Sequence, residues 1–293
     1  MKILNEFIKI EGVSLILGFF DGIHYGHREV INSAVNYAQK NNSKTVLLTF
    51  KTSPAEFFSK KHSYIFSREY SYKLIEELGV DYLIELDFKD IVNISAKEFL
   101  EKIIDNFKPI SISTGFNYTF GLNRVGNSEY LEKNSSKFGY RYFCIPPVEI
   151  QNQVISSTLI KEKISKGEIK DLKDFLSNNF IINSEVISGE KIGRELGYPT
   201  ANLRYPENIT KLPYGVYKVK ALGRNAIMNW GVKPTFDGNS ELLEVHIFDF
   251  NDEIYGKNIE IEVLKKIRAE KKFNSKEDLI AQIKEDIKVC LEL

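Results

Sequence analysis

The sequence predicts a two-domain α/β chain: a parallel sheet with helices, then a small antiparallel barrel with a terminal helix. Three observations predict it. Apolar, β-branched runs alternate with helical patterns through the first half. From Phe180 onward strands dominate, separated by turns rich in Gly, Asn, Asp and Pro. The length of 293 residues is long for one domain and comfortable for two.

The expected strands of the first half are Val13–Leu17, Thr45–Phe50, Tyr82–Leu86, Ile110–Ser113 and Tyr140–Ile145. Helical patterns lie between them, near Glu29–Gln39, Arg68–Leu78, Ala96–Asp105 and Ser128–Lys137. Such alternation argues for a parallel sheet covered on both faces, with ligands beyond the carboxyl ends of its strands. After Pro146-Pro147 the character changes. Ser156-Ser157-Thr158 reads as the cap of a helix running to about Lys166, and a short helix, Glu168–Leu176, follows the Gly167 break. Then come strands at Phe180–Ile187, Gly215–Leu222, Ala226–Trp230, Leu242–Phe248 and Ile259–Arg268. Ser275–Leu293 closes the chain as a helix, with Ser275 as cap and Glu277 and Asp278 in the first turn. The expected boundary falls near 176–180, giving domains 1–178 and 179–293.

Composition narrows the partners. Forty basic residues balance forty acidic ones, so bulk charge gives no hint of nucleic acid or membrane. Two cysteines, Cys144 and Cys290, are too few for a disulfide framework or a zinc site. Reduced thiols in a cytoplasmic protein are the expectation. No apolar stretch approaches the ~20 residues of a spanning helix.

The most informative string is Gly18-Phe19-Phe20-Asp21-Gly22-Ile23-His24-Tyr25-Gly26-His27, at the hand-over from the first strand to the first helix. A helix start offers free N–H groups and partial positive charge, which suits a phosphate. Gly22 and Gly26 let backbone approach a ligand. The imidazoles can donate to phosphate oxygens as charge develops. His24 and His27 have the spacing of an H-x-G-H nucleotidylyl-transfer signature, implying attack on the α-phosphate of a nucleoside triphosphate. Taken alone, the motif reads slightly better as two surface histidines in a loop. Two further segments shift that balance. Gly115–Gly121 follows a strand, with Asn117 offering both donor and acceptor. Ser156, Ser157, Thr158 and Lys161 join hydroxyls at a helix start to a cation one turn later, which suits a triphosphate and a pyrophosphate leaving group.

The second half has its own constellation. Gly193-Arg194-Glu195-Leu196-Gly197-Tyr198-Pro199-Thr200-Ala201-Asn202 is glycine-flanked. The Thr200 and Asn202 oxygens suit Mg²⁺ with ATP phosphates, since Mg²⁺ takes few protein ligands and several waters. An isolated P-T-x-N reads better as a polar β-turn. In the strand Leu242–Phe248, alternation puts Leu242, Glu244 and His246 on one face and Leu243, Val245 and Ile247 on the other. Glu244 is a candidate to take a proton from an attacking hydroxyl, or else a surface residue.

Together these segments resemble the prokaryotic bifunctional riboflavin kinase/FAD synthetase family, over nearly the whole chain and in the family's order. Gly18–His27 is close to its adenylyltransferase signature, and Gly115–Gly121 and Ser156–Lys161 look like two further segments of that module. Gly193–Asn202 matches the riboflavin kinase motif. Asn229–Phe236, Glu244-Val245-His246 and Ile267-Arg268-x-Glu270-x-x-Phe273 follow as they do there. The sequence departs from the family at Lys161, where arginine is usual. It departs again at Lys51-Thr52-Ser53, where an aspartate and a histidine usually precede the proline.

The resemblance implies a Rossmann-like nucleotidylyltransferase domain followed by a kinase barrel. It implies Glu244 as catalytic base, Thr200 and Asn202 serving Mg·ATP, and Gly193 and Gly197 in the nucleotide loop. It places Gly18, Phe20, Asp21, Gly22, Gly26 and Asn117 at the second nucleotide, and Arg268 and Phe273 near the flavin. The partners are then ATP, riboflavin, FMN and FAD. Alternatives are a riboflavin kinase with a silent first domain, a flavin-sensing binding protein and, last, an aminoacyl-tRNA synthetase fragment, which the absence of a Lys-Met-Ser-Lys-Ser loop disfavours.

Overall fold

The computed structural model describes residues 1–58, 62–189, 197–235 and 238–292, with backbone alone for 233–235 and 238–240. It forms two compact units: residues 1–62 with 68–156, and residues 63–67 with 157–293.

The first unit opens with β1 (Lys2–Leu4), β2 (Ser14–Leu17), α1 (Tyr25–Lys40) and β3 (Thr45–Phe50). The short α2 (Pro54–Phe58), α3 (Arg68–Glu77), β4 (Tyr82–Leu86), α4 (Ala96–Phe107) and β5 (Ser111–Gly115) follow. A two-stranded ribbon, β6 (Thr119–Phe120) and β7 (Gly126–Asn127), leads to α5 (Ser128–Phe138) and β8 (Arg141–Ile145). A second ribbon, β9 (Glu149–Ile150) and β10 (Gln153–Val154), ends the unit. The main sheet has the order β1-β4-β3-β2-β5-β8, and every pairing in it is parallel.

The physical reasons are ordinary. β2 is buried along its whole length, as a central parallel strand must be. α4 begins with a reciprocal Ser95/Glu98 capping box and buries Phe99, Leu100, Ile103 and Phe107 on one face. These pack with Leu15, Leu17, Val46, Leu48, Ile84 and Ile112 in one core. Each fully buried side chain of this kind contributes about 2 kcal/mol. From β2 the chain moves to β3 and β4 on one side, and to β5 and β8 on the other. The switch point therefore lies between β2 and β5, where such sheets open a crevice.

The second unit starts with α6 (Ser157–Lys166) and α7 (Leu172–Leu176). Six strands close a barrel: β11 (Phe180–Ile187), β12 (Ala201–Leu203), β13 (Gly215–Ala221), β14 (Arg224–Thr235), β15 (Gly238–Ile247) and β16 (Asn258–Ala269). The order around it is β11-β12-β15-β14-β13-β16, all antiparallel. Its interior holds Tyr217, Met228, Trp230, Leu243, Val245 and Val263, all fully buried. The Trp230 indole N–H donates to the Leu212 carbonyl at 2.9 Å, so its one polar atom is satisfied. The terminal helix is α8 (Lys276–Glu292).

Three details depart from the sequence reading. Ala201–Leu203 is a strand rather than a turn, because β11 and β15 pair with it from either side. β14 runs on to Thr235, since its ladder with β15 continues to the Thr235/Gly238 pair. Ser63–Ser67 belongs with the barrel: the Tyr64 N–H donates to Asn208 O at 2.7 Å, and Thr210 N–H donates to Tyr64 O at 2.8 Å. Ile65 and Phe66 are buried there, and the Phe66 ring stacks on Phe180 at 6.3 Å.

Candidate functional site

In the first unit the loop between β2 and α1 is built inward. Asp21, Gly22, Ile23 and His24 are all buried. Ile23 has φ 42°, a left-handed conformation that a β-branched residue adopts only under strain. Arg28 fastens the loop through an Nε–H donated to Ile23 O at 3.1 Å. His24 is the N-cap of α1, and its Nδ1 accepts from the His27 backbone N–H at 3.3 Å. The two imidazoles stack with centroids 3.6 Å apart, and Phe20 meets His27 edge-on at 5.2 Å. Gly26 leaves that stack uncrowded, since a Cβ there would lie 3.2 Å from the His24 ring.

Burial lowers the His24 pKa to about 4, and burial with the His24 neighbour lowers His27 well below the usual imidazole value. Both rings are therefore neutral near pH 7. Because His24 Nδ1 accepts a hydrogen bond, its single proton sits on Nε2, which becomes a donor. Beside the loop a cavity of about 430 Å³ is lined by Tyr25, Glu29, Ile145, Pro146, Val148 and Ile150.

Asn117 is exposed on the turn after β5, across the switch point from the His24 loop. Gly121 closes that segment with φ 73°, and a Cβ there would meet the Ala96 backbone nitrogen at 2.5 Å. Gly18 ends β2, and its own close neighbour is the Phe20 ring. Ser156 immediately precedes α6, while Ser157, Thr158 and Lys161 lie on its first turns, within the second unit. The Lys161 ammonium sits 5.9 Å over the Tyr64 ring. The Lys51-Thr52-Ser53 departure has a local structural use. Ser53 Oγ accepts from Ala55 N at 3.2 Å and Pro54 opens α2, a good helix start. α2 presents Phe57 and Phe58 to Phe88, which also meets Phe50 at 5.2 Å.

In the second unit the register makes the site. Asn202 on β12, Glu244 on β15 and Asn229 on β14 are direct cross-strand neighbours. Asn229 Nδ2 donates to Glu244 Oε2 at 3.4 Å. Leu243, Val245 and Ile247 point into the barrel, whereas Glu244 and His246 are half-buried on its outer face. α8 covers part of that face and encloses a cavity of about 370 Å³. Thr200, Asn229, Glu244 and His246 line it together with Arg268 and Phe273. A neighbouring cavity of about 500 Å³ shares Thr200 and is bordered by Pro199, Phe250, Asp252 and Tyr255. Asn202 is buried, and Gly197 is exposed with φ 84°. Gly193 lies outside the described residues.

Arg268 is held tightly. Its Nε donates to both Asp286 carboxylate oxygens at 2.9 and 3.0 Å, and a second nitrogen donates to Oδ2 at 2.7 Å. Gln282 Nε2 donates to Asp286 Oδ1 at 3.0 Å, and Asp286 is 3% exposed. The guanidinium also lies 5.9 Å from the Phe273 ring centre. The sequence reading missed Asp286 and Asn229. The signal for Asp286 was present: it is a carboxylate on the apolar stripe Leu279, Ile283, Cys290 of α8. No local signal marks Asn229, because only strand register brings it to Glu244.

Among the described residues no helix is long and apolar enough to cross a membrane. The FAD synthetase family model matches residues 8–159, and the riboflavin kinase family model matches residues 176–293. A bifunctional riboflavin kinase/FMN adenylyltransferase of Haemophilus influenzae is 34% identical, covering 96% of this chain and 94% of that protein. One from Buchnera aphidicola is 35% identical, covering 98% and 96%. A crystal structure from Streptococcus pneumoniae, described as a macrolide-efflux protein, matches with TM-score 0.91 and 31% identity over 100% of both chains.

Proposed function

This chain belongs to the bifunctional riboflavin kinase/FMN adenylyltransferase family, and on that premise we propose which residues carry its two reactions. It phosphorylates riboflavin to FMN and adenylylates FMN to FAD with release of pyrophosphate. Both family models match, so the kinase-only and flavin-sensing alternatives give way. We take 1–178 and 179–293 as the functional modules, although compactness groups 157–178 with the barrel.

In the kinase module Glu244 removes the proton from the ribityl 5′-hydroxyl, whose oxygen attacks the γ-phosphorus of ATP. The carrying observation is the register that sets Glu244 between Asn202 and Asn229 on the wall of the 370 Å³ cavity. Thr200 and Asn202 offer two neutral oxygens, a donor set that fits Mg²⁺ already holding phosphates and waters. Held there with ATP, Mg²⁺ would supply neutralisation of phosphate charge. The family resemblance assigns Gly193 and Gly197 to the nucleotide, and of the two only Gly197 lies within the described residues. Phe273 and the apolar residues of α8 suit the flat flavin ring, with Arg268 fixed beside them.

In the adenylyltransferase module the FMN phosphate attacks the α-phosphorus of a second ATP. A phosphate dianion is already nucleophilic, so positioning and charge stabilisation dominate. The His24 Nε2–H and the His27 ring face this task as neutral donors. Gly18, Phe20, Asp21, Gly22 and Gly26 shape the loop, and Asn117 borders the same crevice. Ser156, Ser157, Thr158 and Lys161 receive the leaving pyrophosphate. Lys161 brings charge without the bidentate fork of arginine. The substrates and products are small molecules, with no nucleic acid or membrane among the partners, and the enzyme works in the cytoplasm.

The test is a chromatographic time course of purified protein with riboflavin, excess ATP and Mg²⁺. FMN appears first and then converts to FAD. FMN that persists, even when supplied directly with fresh ATP, overturns the assignment of the first module's residues.

A further inference from the structure

β15 carries Glu244 and, two residues on, His246 on the same outer face, and both line the cavity that Thr200 also borders. The β12 ladder with β15 begins only at Ala201, so Pro199 and Thr200 precede the first backbone pair. Proline has no N–H to extend a ladder. His246 takes up the Pro199 carbonyl instead: its Nδ1 lies 2.7 Å from Pro199 O. A carbonyl only accepts, so Nδ1 carries the hydrogen and donates it. The ring is fixed by edge contacts with Tyr198 at 5.7 Å and Phe248 at 5.5 Å.

We infer that His246 is a positioning residue for riboflavin phosphorylation: its Nδ1–H grips the Pro199 carbonyl and so holds Thr200 in place beside the Glu244 strand. This rests on the assignment of Thr200 and Asn202 to Mg·ATP. The chemistry sets the substitutions. An asparagine amide nitrogen sits as far from Cβ as Nδ1 does, whereas a glutamine amide lies one methylene further out. Asparagine therefore restores the grip, and glutamine and alanine do not.

The experiment uses the full-length chain with His246→Asn, His246→Gln and His246→Ala. Initial rates of FMN formation are measured against Mg·ATP and, separately, against riboflavin. Gln and Ala raise the KM for Mg·ATP about five- to tenfold, the scale of one lost hydrogen bond. His246 also lines the cavity assigned to the flavin, so the riboflavin KM changes to a similar extent in Asn and Gln, whereas Asn alone recovers most of the Mg·ATP loss. A general collapse of the barrel would remove that contrast between the two variants. FAD formation from supplied FMN and a thermal melt check folding, and the Asn/Gln contrast stands even if Ala fails to fold. Parental Mg·ATP KM in Gln, or an Asn variant no better than Gln, overturns the role. Thr200→Ala run in parallel separates the premises. If it leaves the Mg·ATP KM unchanged, the Thr200 assignment falls. If it raises that KM while Gln stays parental, only the His246 role falls.

Discussion

The groups around His24 come from one stretch of chain, Gly18–Arg28, and hold each other through a cap, a ring stack and a strained turn. The groups around Glu244 come from β12, β14, β15 and β16 and from α8 at the end of the chain. The first site is shaped by its own backbone, the second by strand register and a docked helix. A local site is sensitive to any atom added to its loop. A register-built site tolerates changes in its loops but fails when a wall side chain or its anchor is lost.

The largest expected effect breaks the second site alone. Glu244→Gln lowers kcat for riboflavin phosphorylation about 10²- to 10⁴-fold, while FAD still forms from supplied FMN. A parental phosphorylation rate in that variant removes Glu244 from the role of base. Next comes the anchor. Asp286→Ala leaves the Arg268 guanidinium, 22% exposed, without its carboxylate, and costs about 3 kcal/mol of stability in denaturant unfolding. Riboflavin binding weakens with it, because the cavity wall loosens. An unchanged unfolding midpoint would mean that α8 docks without this pair.

Gly26→Ala sharpens the contrast from the other side. The added Cβ stands 3.2 Å from the His24 ring, so the stack must shift by a few tenths of an ångström. FMN adenylylation falls about tenfold, with riboflavin phosphorylation at the parental rate. Equal loss of both activities would contradict the locality of the first site.

The smallest effect is on pH dependence. His24 has a folded pKa of about 4 against 6.5 for the free imidazole. Between these values the unfolded chain binds a proton that the folded one does not, so stability rises with pH. The contribution is complete above pH 6.5 and is lost as pH falls toward 4. Denaturation midpoints at pH 7.5 and 5 should therefore differ more in the parent than in His24→Asn. An equal drop in both proteins would show that His24 is not buried as a neutral ring.

Much of this molecule was legible before folding because its chemistry is contiguous. The His24 loop, the Ser275 cap of α8 and the alternation along β15 each depend on residues within a turn or two of one another. Gly121 is a mixed case: its φ of 73° is local, but the close approach that bars a Cβ comes from Ala96, outside the string. The strand at Ala201–Leu203 was less legible, since three residues that pattern as a turn become a strand only when β11 and β15 flank them.

By itself, the sequence determined the alternation that makes the parallel sheet, the His24/His27 loop at the start of α1 and the inward and outward faces of β15, since these follow from periods of two and 3.6 residues and from local capping. Only the tertiary structure decided that Asn229 sits beside Glu244, that Asp286 clamps Arg268, that His246 reaches Pro199, and that Ser63–Ser67 completes the barrel unit. Those contacts join residues far apart in the chain. They exist only once the ladders are closed and the burial of apolar surface has fixed the register.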